Sequence, residues 1–220
     1  MADVVTITDS WGSYYYINSS SRKDVLTQAQ QDANAFYIRN YCAGKYPTWT
    51  VNAVAAICGN FAHEGVMNPS QWEYGYDMSL EKGFGLGQWT PATKLINWVE
   101  AKGFQRYQIR GQIDRVNYES VTPGAQWIPK PAYDFSMTEF LTSTQSPSYL
   151  ASAWLYDWER PGDPEATEAL RQDSAEYYYT LFTGSEPPDP PVPPDPPDPP
   201  EPTLIKRGLR PCYYHRFRYD

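Results

Sequence analysis

Between Pro187 and Pro202 the chain becomes a repeat of Pro-Pro-x, with Asp189, Val192, Asp195, Asp198 and Glu201 in the third place. Proline supplies no amide donor and fixes φ, so such a tract joins neither a helix interior nor a sheet and builds no core. It is expected to form a polyproline II stalk spanning roughly 50 Å. Its third positions stack along one edge, where the acidic stripe keeps the stalk solvated and extended. The segment beyond, 203–220, is too short to fold alone and reverses the charge, with Lys206, Arg207, Arg210, Arg216 and Arg218 interleaved among Tyr213, Tyr214, Phe217 and Tyr219. Everything that can fold therefore lies ahead of the stalk. Four segments result: an N-terminal arm at 1–22, a globular domain at 23–184, the proline-rich linker at 185–202 and a basic aromatic tail at 203–220.

With 41% apolar and 16% aromatic residues the chain has ample material for one core. Residues 1–185 carry 13 basic against 20 acidic side chains, which argues against nucleic-acid binding by the domain. No apolar run approaches the length of a membrane span, and no basic-plus-apolar leader precedes Trp11, so neither a membrane partner nor a secretory signal is expected. Cys42, Cys58 and Cys212 show no metal spacing and read as thiols, Cys58 as a small hydrophobe beside a core face. No metal and no cofactor are expected. A Cys–His nucleophile has little to draw on, since His63 and His215 are the two histidines of the chain.

The chemically loaded residue is Glu64. Val54, Ile57 and Phe61 recur at helical spacing, and Glu64 continues their face. A carboxyl group among apolar neighbours holds its proton more tightly, which suits a general acid. The competing reading turns Glu64 outward or pairs it with a cation such as Lys82. His63, with no second ligand nearby, reads as a helix-surface residue.

Apolar periodicity predicts helices from Asp24 to Tyr41, with Leu26, Ala29, Ala33, Phe36 and Tyr41 inward, and from Thr50 or Asn52 to Glu64. Further helices are expected at 92–102, 108–121, 136–143, 147–158 and 164–183, with Ser146 and Asp163 as caps ahead of prolines. The arm at 1–22 reads as extended or as a short strand pair. After Glu64 the period becomes two: Trp72, Tyr74 and Tyr76 alternate with Glu73, Gly75 and Asp77, as on a strand with aromatics on one side and carboxylates on the other. Gly83-Phe-Gly-Leu-Gly-Gln88-Trp-Thr-Pro91 then forms a turn whose glycines permit close backbone approach.

An acid closing an apolar helix, followed about two dozen residues on by a Gly-x-Gly-Leu-x-Gln turn, resembles the goose-type lysozymes and lytic transglycosylases. Within that group the chain is similar to the lysozyme domain of phage tail-associated lysins. The ordered landmarks are Gly59-Asn60-Phe61 ahead of Glu64, Asn68-Pro69, the glycine turn, Trp127-Ile128-Pro129, Ser146-Pro147, and Trp158-Glu159-Arg160-Pro161-Gly162-Asp163-Pro164, covering residues 25–183. The resemblance implies an α+β, predominantly helical lysozyme-like domain with a small β element beside the cleft. It implies Glu64 as general acid for the β-1,4 bond between N-acetylmuramic acid and N-acetylglucosamine, and Asp77 as the carboxylate positioning water, with Glu73 and Glu81 as competitors. Gln88 and Trp89 are expected to line the cleft, the alternative for Trp89 being core packing; Trp72, Tyr76 and Glu73 are candidates for sugar contacts. Glu159 and Arg160 are expected to form a structural ion pair. One departure stands out: the group usually places Ser after the acid, and here Gly65 follows.

The function expected is that of a virion-associated muramidase acting on bacterial peptidoglycan and attached to phage tail or other virion proteins through the stalk and tail. Two alternatives remain: a lytic transglycosylase giving anhydro products, and a wall-binding or tail structural module without turnover.

Overall fold

A computed structural model describes residues 2–76, 78–122 and 126–184. Asp77, Cys212, the proline tract and the basic aromatic tail lie outside the described residues.

The domain is organised around α2 (Val51–Glu64), whose residues from Asn52 to Phe61 are buried on every face. A helix apolar all round belongs in the centre of a fold rather than on its surface. Its start is fixed by Thr50, whose hydroxyl accepts from the Ala53 amide at 3.1 Å. Across it lies α7 (Glu165–Thr183), and the two backbones come close at Gly59: a Cβ there would sit 2.7 Å from the Ala175 nitrogen and 2.8 Å from the Arg171 carbonyl oxygen. Glycine is the residue that allows this crossing. α6 (Pro147–Trp154) packs beside both, capped by Ser146, and runs on through a π-helical turn at Leu155–Glu159.

The remaining helices enclose this centre. α1 (Gln28–Lys45) opens with a capping box between Thr27 and Gln30, and α5 (Met137–Thr142) with another between Ser136 and Glu139. α3 (Thr93–Ala101) and α4 (Ile109–Val121) pack on each other, burying Leu95, Ile96, Val99, Ile113 and Val116. The helical expectations hold to within a few residues except at α1, which begins later. There Leu26 is buried ahead of the helix, while Ala29 and Phe36 face outward. The inward face includes Asn34, a residue no hydrophobic count selects. Asn34 exchanges hydrogen bonds with the amide and carbonyl of Tyr15 and also donates to the Met67 carbonyl, each at 2.7 Å.

The N-terminal arm forms the strand pair: β1 (Val5–Asp9) and β2 (Gly12–Tyr16) are antiparallel, Val5 opposite Tyr16 and Asp9 opposite Gly12. The hairpin lies on α1, with the Tyr14 and Tyr37 rings 4.8 Å apart. Among the described residues the sheet expected after the acid is not found, and the segment from Gln71 to Trp89 makes isolated bridges instead, Ser19 to Gln71, Trp72 to Phe84 and Phe84 to Trp89. The alternation fails because the chain turns: the Tyr76 amide donates back to the Glu73 carbonyl, burying Trp72 and exposing Tyr76 instead of aligning them. Val66 and Met67, with φ of 46° and 54°, take left-handed conformations that an extended strand excludes. Buried Asn68 holds the loop by accepting from the Ile17 and Ser70 amides and donating to the Ile17 carbonyl.

Candidate active site

Glu64 ends α2 at the edge of an open cleft of about 450 Å³. Glu73, Tyr74, Gln88 and Thr90 line it from the loop after the acid, Glu159 and Pro161 from the segment after α6, and Arg22 from the arm. Three carboxylates, Glu64, Glu73 and Glu159, thus share one depression.

The partner of Glu64 is Arg171 of α7, whose Nη2 donates to Glu64 Oε1. The Arg171 side chain is 4% exposed and that of Glu64 21%, so the pair is well shielded. Arg171 Nη1 donates to Asn60 Oδ1 at 3.0 Å, and the Asn60 amide donates to the carbonyls of Ala56 and Ala151. The acid is therefore fixed by a buried network spanning α2, α6 and α7, leaving Oε2 without a hydrogen-bond partner among the described residues. Lys82, the cation considered from sequence, instead lies over the Tyr76 ring, 3.8 Å from its centroid. Arg171 carries a legible signal: Ala175, Tyr178 and Phe182 form an apolar stripe on α7, and Arg171 extends it by one turn, as Glu64 extends that of α2.

Glu159 and Arg160 do not pair. Arg160 adopts a left-handed φ of 52° and directs Nη1 to the carbonyls of Gln126 and Asp157. Glu159 Oε1 accepts from the Trp154 indole at 3.0 Å. Desolvation, then the charge of Glu64, push the Glu159 carboxyl well above the usual carboxylate range against the pull of Arg171.

Glu73 reaches the cleft while its Oε2 accepts from the Gly83 amide at 2.9 Å. Gln88 also lines it, in a left-handed conformation with φ of 45°. Its amide nitrogen donates to the Gln71 and Gly85 carbonyls at 3.0 and 2.9 Å, which holds the turn and leaves Oε1 as the group with free capacity. Trp89 is core: it is buried, its ring meets Trp158 edge-on, and its indole donates to buried Glu119. Trp72 is likewise buried, with its indole on Asn18 Oδ1, and does not line the cleft. Exposed Tyr76 is also outside its lining. Hydrophobic aromatics near a glycine turn read as sugar platforms in sequence, but here their size is used to fill the core around Phe61 and Phe84. Asp77 lies outside the described residues.

Gly65 has a steric reason. A Cβ on it would stand 2.5 Å from the Gly85 carbonyl oxygen and 2.8 Å from that of Leu86, so the glycine turn seats directly against the end of α2. His63 is exposed, as expected, yet lines the cleft; its Nε2 meets the Leu170 carbonyl at 3.0 Å and the Ser174 hydroxyl at 3.1 Å. Among the described residues no group of three or more His, Cys, Asp and Glu is gathered as for a metal ion, and no helix is long and apolar enough to cross a membrane.

A fixed carboxyl group beside two further carboxylates in an open polar groove is suited to acid–base work on a hydroxyl-rich polymer. Two comparisons bear on this geometry. A sequence model of the phage tail lysozyme family matches residues 33–182. Morphogenesis protein 1 of Bacillus phage B103 is 37% identical over 164 residues, which is 74% of this chain and 43% of that protein. The chain thus spans less than half the length of that curated relative.

Proposed function

The chain belongs to the phage tail lysozyme family, and from that footing we propose that it is a muramidase, cutting the β-1,4 bond between N-acetylmuramic acid and N-acetylglucosamine from within a virion to open the host wall. The observation that carries this reading is Glu64, held at the end of the buried central helix and presented to an open cleft with Glu73 and Glu159. Cleavage requires a proton on the leaving glycosidic oxygen while positive charge develops on the sugar ring. Glu64 is the proton donor in this scheme. With Oε1 engaged by Arg171, Oε2 is the oxygen left to pass a proton to the leaving group. Glu73 is the cleft carboxylate assigned to stabilise the developing charge, since burial and the charge of Glu64 bias Glu159 toward its neutral form. Asp77 is the residue proposed to position the attacking water, by family resemblance, and Glu73 is its competitor from within the cleft. Attack by water leaves reducing ends on the products.

Glu64→Gln tests the reading. The amide preserves shape but donates no acidic proton, so wall cleavage should fall by about a thousandfold or more while the chain stays folded, at a melting temperature lowered only by the loss of the charge facing Arg171. Mass spectrometry of digested peptidoglycan should find reducing ends. Near wild-type lysis by the variant would overturn the role of Glu64, and anhydro ends would replace hydrolysis with transglycosylation.

A further inference from the structure

Beside the cleft lies a second depression, about 480 Å³ in volume, between the start of α1 and the middle of α7. His63 lines both. Since His63 precedes Glu64 in α2, the two hollows meet at the residue next to the acid. We propose that the second hollow is a binding site for the glycan strand of peptidoglycan, holding sugars to one side of the bond that is cut. This rests on the muramidase reading above and assigns part of its substrate to residues outside the cleft.

The chemistry of the walls carries the assignment. A carbonyl can only accept, so His63 Nε2 bears hydrogen toward Leu170. Desolvation and the charge of Arg171 lower the His63 pKa from its ordinary value of 6.5, which keeps the ring neutral at pH 7 and makes Nδ1 an acceptor. The Gln28 amide nitrogen donates to Asp32 Oδ1 at 2.8 Å and that of Gln31 to the Leu26 carbonyl at 2.9 Å. Both side chains keep an amide oxygen for a ligand, Gln31 keeps an N–H beside it, and Asp173 adds a carboxylate. A surface rich in acceptors suits a ligand rich in hydroxyl donors. Tyr177 supplies a flat face: it is 44% exposed, and its hydroxyl is tied to Asp32 Oδ2 at 3.0 Å, which orients the ring in advance. An aromatic face set among acceptors is the arrangement that takes a sugar ring, apolar on its face and polar at its rim. A long polymer also gains from walls beyond the reacting bond, because contacts remote from the chemistry position it.

The test uses the full chain and peptide-free glycan strands, with binding measured by calorimetry for the wild type, Tyr177→Ala and Gln31→Ala. Tyr177 is exposed on a helix, so its removal should leave the melting temperature in place. Each variant should bind the strands more weakly, Tyr177→Ala by about tenfold, the order expected for one aromatic platform. Equal affinity in all three proteins would overturn the site. Loss of affinity for the isolated stem peptide, with strand binding intact, would overturn the glycan assignment in favour of peptide. Product release from the same strands is followed separately: strand binding that depends on Tyr177 without any cleavage would refute the muramidase reading while leaving the site standing.

Discussion

At the scale of single residues, the domain places charge in its interior and balances it locally. Arg171 is buried and has three side-chain partners, Glu64, Asn60 and the Thr167 hydroxyl. Its replacement by Met leaves a shielded carboxylate and an amide oxygen unanswered, a change worth about 3 kcal/mol of stability. The cost should shrink when Glu64 is already Gln, because the stranded charge is gone. Chemical denaturation of the two single variants and the double variant measures that coupling; additive losses would mean that the pair is not energetically real. Asp157 is a different case. It is buried in the π-helical turn ahead of Glu159, its Oδ1 accepts from the Lys130 amide, and its Oδ2 has no hydrogen-bond partner among the described residues. Desolvation raises its pKa from 3.8 to about 7, against the Lys130 amide and the charges of Lys130 and Arg160. A carboxyl whose folded pKa lies above its unfolded value contributes stability that is full below about pH 4 and lost as pH rises through about 7. Asp157→Asn, which stays neutral, should match the wild type below about pH 4 and melt higher than it at pH 8. A wild-type advantage at pH 8 would show that the ionised side chain is the favoured one.

Between elements, the decisive contacts are backbone to backbone. The glycine turn sits on the end of α2 because Gly65 has no Cβ, and Gly65→Ser would drive a side chain into the Gly85 and Leu86 carbonyls. Restoring the serine usual in related enzymes should thus destabilise this chain by about 2 kcal/mol, and it should lower activity by displacing Gln88 and the turn from Glu64. Thermal melting and wall clearance together check this; an unchanged melting temperature would show that the turn has room to move. The same contrast explains what could be read in advance. Helices were legible because periodicity and caps are local: Thr50 and Ser146 cap their helices, and Asp163 accepts from the Ala166 amide in the first turn of α7. Glu64 was legible because it interrupts an apolar stripe. The β element was displaced because alternation of Trp72, Tyr74 and Tyr76 says nothing about the turn at Glu73–Tyr76 that parts them. Trp89, with core packing as its alternative, and Trp72, read as a sugar contact, are both buried, since an aromatic ring suits cleft or core and the choice depends on distant partners such as Glu119 and Asn18. Arg171 lies 107 residues from the acid it holds, and composition near Glu64 does not point to it. Only the matching interruption of the α7 stripe does.

For the whole molecule, the question is where the folded unit stops. α7 is closed by Gly184, at φ 67°, whose amide returns to the Thr180 carbonyl at 2.7 Å, and a left-handed glycine in that position satisfies the helix end. Just before it, Phe182 packs against Phe36 and Tyr178, so the last turn is anchored to α1. The family match ends at the same place, residue 182. The core of the described residues thus closes ahead of position 185, and the sequence beyond, rich in proline and then in basic and aromatic residues, is expected to add nothing to it. Removing residues 185–220 should therefore shift the melting temperature by less than about 2 °C and leave activity on purified peptidoglycan intact. The loss should fall on attachment: an acidic domain without its basic aromatic tail should not copurify with assembled virions, whereas the full chain should. A large drop in melting temperature would mean that the tail folds back onto the domain. The tether would then give way to an intramolecular clasp, and the acidic surface of the domain would be the place to look for its partner.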